Sequence, residues 1–543
     1  MNGEPQQNAV TDNRVMIGVD VGTASARAGV FDQSGDMLAS AKREITVFRA
    51  AGHIVEQSSR EIWQAVCEAV KEALDRSGAS PDQVAGIGFD ATCSLVLLDA
   101  TGAPLAASDS GDDDRNIIVW MDHRATEQAE RINALGHPVL QYVGGKISPE
   151  MQTPKILWLK ENRREVFDRT WQFFDLADFL TWRCTGDLAR STCTVTCKWT
   201  YVAHEQRWDE SYFRQTGLAA LADENFIRIG QHIIEPGARC GNGLTSQAAA
   251  ELGLIVGTPV AAGMIDAHAG GIGTAGARGD ATHNLAYVFG TSSCTMTTTR
   301  HPVFIPGVWG PYYSAMVPGR WLNEGGQSAA GAAIDQLLAF HPAAEEAAQL
   351  ARERALPLPV LLADLALEKV SSASAVVELT RGLHVVPEFL GNRAPFADPH
   401  ARAVIAGLGM ENDRDNLLSL YIAAVCGIGY GLRQIIEVQE QAGAAIDNIV
   451  VSGGAGQHPL IRQLLADTTG RTVLATRASE PVLLGAAILG ATAGGIVASV
   501  SEGMRRYSAV ASEYLPAPQY RERHQLRYAT FQRLQETARQ LEG

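Results

Sequence analysis

The chain has 543 residues, too many for one hydrophobic core, so at least two domains are expected. Apolar residues make up 46% and charged residues 19%, a balance that excludes a disordered chain. A formal net charge of −15 without any Lys/Arg run argues against nucleic acid and anionic membranes as partners, and fits an acidic enzyme that stays dispersed.

Residues 1–13 are polar, lack the apolar segment of a signal peptide and read as a disordered lead. From Val15 the chain turns to VMIGVDVGTASARAGVFD, two apolar runs joined by a Gly-containing turn, which predicts a β-hairpin. Over 57–76 apolar residues recur at helical spacing (Ile62, Trp63, Val66, Ala69, Val70, Leu74), and VAGIGFD at 84–90 predicts a strand. Strands alternate with helices, the pattern of an α/β layer fold. A second hairpin is predicted over Leu285–Thr299, where Phe289-Gly290-Thr291-Ser292-Ser293 mirrors Val21-Gly22-Thr23-Ala24-Ser25. A later strand, beginning at Asn448, also ends in glycines. Two similar lobes facing each other account for this repetition, although two five-residue turns can coincide by chance. The small-residue stretch Pro259–Ala277 joins the lobes, with a boundary placed near Ala269. The charged, aromatic-bearing end is expected to be a peripheral helix.

The eight cysteines are scattered without a Cys-x-x-Cys pair, as expected of reduced thiols in a cytoplasmic protein. Cys193 and Cys197 are four apart, but with only His204 close by in sequence the zinc set is incomplete. No run of about 18 apolar residues predicts a membrane span.

No P-loop and no His-Glu-x-x-His occurs. One Gly-x-Gly-x-x-Gly, from Gly271 to Gly276, follows small residues and has no acidic residue about 20 positions on; it reads as helix packing. The two Gly-Thr turns are stronger candidates. Tight turns expose backbone N–H groups, glycine admits a phosphate, and hydroxyls add donors. Two of them from opposing lobes could clasp a triphosphate. Asp20 precedes the first turn inside an apolar run, where a carboxylate could hold the Mg²⁺ shell. Asp266, in GMIDAHAG, is a lone carboxylate among small apolar residues. It suits a helix N-cap and also a general base. Val451–Gly456 is either a flat surface for a purine ring or an ordinary strand-to-helix turn.

Taken together, these segments resemble the FGGY carbohydrate kinases from about Val15 to Gly495. MQTPKILWLKEN (Met151–Asn162) is similar to the family's first signature, VDVGTASAR and FGTSS to its two phosphate motifs, GMIDAHAG to the segment bearing its catalytic Asp, and SGGAGQHPLIRQLLADTTG (Ser452–Gly470) to its adenosine motif. The resemblance implies two actin-like, ribonuclease-H-like α/β lobes with ATP in the cleft: a sugar-binding lobe at 14–268, an ATP-binding lobe at 269–505 and a peripheral helix at 506–543. Within the family, GFDATCSLVLLD, GGKISPEMQTPK (Gly144–Lys155) and NEGGQSAAG (Asn323–Gly331) resemble ribulokinases. Glycerol kinases would carry an Arg-Glu pair where this chain has Cys93-Ser94. By this resemblance Asp266 is the base, and Thr92, Cys93, Ser94, Lys198 and Glu324 join it around the sugar. Gly22, Thr23, Ser25, Arg27, Gly290, Thr291, Ser292, Gln327, Gly331, Gly453, Gly454, Ala455 and Gln457 bind ATP, and Asp20 with Asp266 holds Mg²⁺. The implied reaction is D-ribulose to D-ribulose 5-phosphate. L-ribulose, ribitol or another pentose-derived polyol is the alternative within the class, and an actin- or chaperone-like switch ATPase the alternative outside it. A homodimer is left open.

Overall fold

The computed structural model describes residues 13–51 and 53–541. Of the expected lead at 1–13, all but Asn13 lies outside the described residues.

Both predicted hairpins form. Val15–Val21 pairs antiparallel with Ser25–Phe31, and Asn284–Phe289 pairs antiparallel with Ser293–Thr299. Each hairpin is the centre of a sheet. In the first lobe the order is Met264–Ile265, Val84–Ala91, Val15–Val21, Ser25–Phe31, Met37–Glu44. In the second it is Trp309–Tyr313, Trp321–Gln327, Ser293–Thr299, Asn284–Phe289, Asn448–Ser452, Thr472–Thr476, Val510–Tyr514. Without the two edge strands of the second sheet, the five remaining strands repeat the first: three antiparallel, then two joined in parallel. This is the ribonuclease-H-like layout expected for each lobe. Val15–Val21 is buried throughout, which accounts for its almost continuous apolar run.

The first long helix runs Ser59–Ser77. Ser58 caps it by accepting from the Glu61 N–H, and Gly78, at φ 71°, ends it in the left-handed conformation. All six apolar residues read from its periodicity are buried. The helix Arg414–Gln441 is long and apolar enough to cross a membrane, but 89% of its most apolar window is buried inside the protein, so it is a core helix.

Two short helices carry the contact between lobes. Asp266–Ile272 follows the last strand of the first sheet; Pro481–Ala493, although late in the chain, packs on the first lobe. They meet backbone to backbone. A Cβ at Gly485 would overlap the Ala269 carbonyl, and one at Gly273 would overlap the Pro481 carbonyl. The Gly-x-Gly-x-x-Gly at 271–276 is therefore a packing surface. The estimated boundary at 268/269 falls inside the helix Asp266–Ile272.

The stretch 506–543 is more than a peripheral helix. Val510–Tyr514 adds an antiparallel edge strand beside Thr472–Thr476. Its alternation of half-buried and exposed residues is the strand period, obscured in the sequence by the surrounding charges. The helix Arg521–Leu541 follows, with Tyr528 and Phe531 buried in the second lobe.

Candidate active site

Three aspartates meet where adjacent strands of the first sheet end. Asp20 and Asp90 are register partners on parallel strands, and Asp266 follows Ile265, the partner of Ala91. Asp266 is not an N-cap: it is the first residue of its helix, Ile265 holds the cap position, and its Oδ1 accepts from the Ala267 N–H at 2.7 Å. Burial, then the Asp20 carboxylate, push Asp266 up to about 6, against the pull of the Ala267 N–H, His268 and Lys198. A base with that value is unprotonated yet still basic at neutral pH. Asp90 is fully buried and no N–H or O–H group donates to either carboxyl oxygen. Burial and the charges of Asp20 and Asp266 hold it well above the usual carboxylate range. Arg27, the cross-strand partner of Asp20, donates its Nε–H to Asp20 Oδ2 at 2.8 Å and from Nη1 reaches Glu480 Oε2 at 2.6 Å. Both interlobe helices thus begin at this cluster, one with Asp266 and the other just after Glu480.

Of the residues expected around the sugar, Thr92, Cys93 and Ser94 directly follow the strand Val84–Ala91. Ser94 turns inward: it is fully buried, its Oγ accepts from the Trp120 N–H at 3.1 Å, and it lies 3.1 Å from Thr92 Oγ1. Its hydroxyl is thus engaged within the protein, by Thr92 and by the loop at Trp120. Burial pushes the Cys93 thiol up to about 12, so it stays neutral beside Lys198 and Asp266. Lys198 ends the helix Thr192–Trp199 region almost fully buried. Among the described residues its ammonium has no hydrogen-bonded or ion-paired partner; it sits 5.3 Å from the Trp309 ring centroid. Its three N–H donors are thus free for a ligand.

Glu324 lies on Trp321–Gln327 in the second lobe, and His268 Nε2 is 3.2 Å from its Oε2. Burial opposes ionisation of Glu324, but the bond and charge of His268, with Lys198 and Arg393, bring it down to about 2. On the far side of His268, Nδ1 lies 3.1 Å from Cys193 Sγ. Burial raises the Cys193 thiol, and the Cys197 thiol with His268 outweighs it, bringing it down to about 5. Burial likewise opposes the His268 charge, and Cys193 and Glu324 hold it up to about 10.

The residues expected to bind ATP divide. Gly290, Thr291, Gly331, Gly454, Ala455 and Gln457 line one cavity of about 790 Å³, together with the apolar side chains of Ile334, Val360 and Ile461. Gly453, at φ 88°, sets the turn that carries three of them; its Cβ would lie 2.5 Å from the Phe289 carbonyl oxygen. Gly22, Ser25 and Arg27 line a second cavity of about 530 Å³ with Asp20 and Glu480. Each of these two cavities holds one of the Gly-Thr turns. Thr23 is held by the Trp120 Nε1–H, which donates to its Oγ1 at 3.0 Å. Gln327 and Ser292 do not line the larger cavity. The Gln327 carboxamide is spent inside its lobe: Oε1 accepts from Tyr287 and Ser293 at 3.1 Å, and Nε2 donates to the Ile428 carbonyl at 3.0 Å.

Models of the FGGY family of carbohydrate kinases match the chain over 15–273 for the N-terminal domain and 285–494 for the C-terminal domain. The chain belongs to the FGGY carbohydrate kinases. It is therefore an ATP-dependent sugar phosphotransferase. This FGGY kinase is 46% identical over 534 residues to an FGGY carbohydrate kinase domain-containing protein of Homo sapiens, covering 96% of each chain. It is 39% identical over 510 residues to a D-ribulokinase of Saccharomyces cerevisiae, covering 88% of this chain and 71% of the relative. Its fold matches a xylulose kinase from Rhodospirillum rubrum with a TM-score of 0.79 at 21% identity, over 97% of this chain and 99% of that one.

The signature at Met151–Asn162 has a structural use in this FGGY kinase. Lys155 is fully buried and donates to the carbonyls of Val119 at 3.1 Å and Glu150 at 3.0 Å, pinning the loop that carries Trp120. That loop supplies the donors to Thr23 and Ser94. Sequence reasoning missed Asp90, His268 and Glu480. Asp90 had a signal: Gly-Phe-Asp ends its strand as Gly-Val-Asp ends the first. His268 sits within the motif that exposed Asp266. Nothing local marks Glu480, whose partner Arg27 lies 453 residues away.

Proposed function

We propose that this kinase phosphorylates a pentulose, D-ribulose first, giving D-ribulose 5-phosphate, with Asp266 as general base. The observation that carries the mechanism is the placement of Asp266: a half-buried carboxylate at a helix start, raised to about 6, within the electrostatic reach of both Asp20 and Lys198. The 39% identity to a D-ribulokinase supports the choice of sugar.

In this reading Lys198 and Glu324 orient the sugar hydroxyls, one as donor and one as acceptor. Asp266 takes the proton of the attacking hydroxyl as its oxygen bonds to the γ-phosphorus. The bond from that phosphorus to the β–γ bridging oxygen breaks, and its electrons leave with ADP. The apolar and glycine-lined cavity at Gly454 and Ala455 would take the adenosine. The donor set fits a Mg²⁺ ion: Asp20 and Asp266 offer hard oxygens, and Asp90 adds a buried carboxyl without a hydrogen-bond donor. Bound there, Mg²⁺ supplies countercharge to the phosphate oxygens.

The test is ADP release with D-ribulose, L-ribulose, D-xylulose and ribitol, in wild type and in Thr92→Val. D-ribulose is expected to have the highest kcat/KM. Loss of the Thr92 hydroxyl, worth about 1–3 kcal/mol to a bound sugar, is expected to narrow the preference by roughly 5- to 150-fold. A better rate with another of these sugars overturns the choice of D-ribulose; unchanged ratios in Thr92→Val remove Thr92 as the selector.

A further inference from the structure

Cys193 and Cys197 lie one turn apart on the helix Thr192–Trp199, so both thiols leave the same face. From that face Cys193 meets His268 of the helix Asp266–Ile272. The two sulfurs and a ring nitrogen of His268 all lie within 4.8 Å of one another. All three residues are fully buried. The backbone N–H of Ile265 donates to Cys193 Sγ at 3.4 Å, a bond that favours a sulfur carrying negative charge. The ring is oriented from its other side, because His268 Nε2 lies 3.2 Å from Glu324 Oε2. A carboxylate behind the second nitrogen is how proteins set the tautomer and angle of a metal-ligating histidine.

We propose that Cys193, Cys197 and His268 Nδ1 form a site for a soft d¹⁰ cation of the zinc class, separate from the carboxylates that fit Mg²⁺. Two thiolates and an imidazole select against hard cations, which prefer oxygen. Cys193 Sγ and Nδ1 are 3.1 Å apart. With Zn–S near 2.3 Å and Zn–N near 2.0 Å, tetrahedral ligation asks this pair to open by roughly 0.4 Å, within the reach of side-chain rotation. Binding forms two metal–sulfur bonds and one metal–nitrogen bond, and the protons held on the thiols and on Nδ1 leave to solvent. Nε2–H remains to donate to Glu324. Among the described residues no fourth His, Cys, Asp or Glu joins the three, so one coordination position stays open.

The site has a mechanical consequence. One of its helices carries Lys198 and the other begins at Asp266, so an occupied site ties together two walls of the sugar pocket. It also gives Cys193 and Cys197 a role that their sequence neighbours do not supply. The only histidine close by in sequence, His204, lies in tilted ring contact with Tyr142 and Trp321 instead.

The experiment uses the full-length, reduced protein, refolded with and without Cd²⁺ and, separately, with Zn²⁺, since buried ligands are filled most readily during folding. Expected are one metal per chain by elemental analysis and thiolate-to-metal charge-transfer absorption with Cd²⁺. X-ray absorption on the zinc form is expected to report two sulfurs and one imidazole nitrogen. Cys197→Ser and His268→Asn are expected to lose the absorption band. Glu324→Gln, which removes the carboxylate behind the ring, is expected to weaken Cd²⁺ binding by roughly 10- to 100-fold. No charge-transfer band, metal content far below one per chain, or an all-oxygen shell overturns the proposal. So does a band of full intensity in both Cys197→Ser and His268→Asn. The X-ray measurement on wild type decides the matter even where a variant does not fold, and no outcome depends on sugar turnover.

Discussion

The two lobes repeat one sheet and divide the chemistry between them. In the first, the partners at the ends of the two central parallel strands are Asp20 and Asp90; in the second, the matching partners are Val288 and Ser452. The first lobe therefore offers carboxylates where the second offers an apolar and a hydroxyl side chain, followed by glycines at 453 and 454. The difference follows from what each surface has to face. A nucleotide carries its own negative charge, so a carboxylate pair beside its phosphates without a countercharge would repel it, whereas bare backbone approaches closely and donates N–H groups. In the proposed reaction the base and the cation shell need the carboxylates. Duplicating the strand order supplied two pockets, and side-chain choice at equivalent positions made them unlike.

The comparison breaks most severely if the acidic lobe can be neutralised without loss. Asp266→Asn keeps size and polarity but removes the base, and kcat is expected to fall by roughly 10²–10⁴ with little change in sugar KM. Steady-state rates on purified variant settle this; near-normal turnover would mean that the first lobe does not supply the base.

The glycine lobe is probed by Gly453→Ala. At φ 88°, with a Cβ placed 2.5 Å from the Phe289 carbonyl oxygen, the turn has to shift. Strain of about 1–3 kcal/mol predicts a rise of roughly 5- to 150-fold in the KM for ATP, with the sugar KM little altered. If the sugar KM moves instead, the assignment of this turn to the nucleotide fails.

The pH profile separates the lobes without mutation. Asp266 is raised to about 6, so kcat/KM is expected to fall as pH drops through about 6, approaching tenfold per pH unit below it. The base is deprotonated, and active, above that value. A limb near 4 instead, the ordinary carboxylate range, would show that burial and Asp20 do not act on Asp266 in the free enzyme.

The smallest effect tests Asp90. Its folded value is raised, so the folded state keeps a proton that the unfolded chain loses near pH 4, and stability falls as pH climbs through that window. Asp90→Asn removes this loss. Between pH 5 and 8 the wild type is expected to lose on the order of 2 °C more in Tm than the variant. Equal losses would mean that Asp90 is ionised in the folded protein.

What the sequence determined by itself was local. Apolar periodicity placed the helix over 57–76, and Gly-Thr turns between apolar runs placed both hairpins, because helix and strand periods and tight turns are properties of neighbours along the chain. The order of the motifs carried the family and, with it, the two-lobed fold. Asp266 was legible because a lone carboxylate among small apolar residues is conspicuous on the page. The tertiary structure decided what lies across the fold. Only packing brought His268 to Cys193 over 75 residues and completed the set that His204 could not. Packing also turned Ser94 inward against Thr92, spent the Gln327 carboxamide on its own lobe and set Asp90 beside Asp20. Such outcomes depend on which surfaces meet and on which polar groups find partners there, and spacing along the chain records neither.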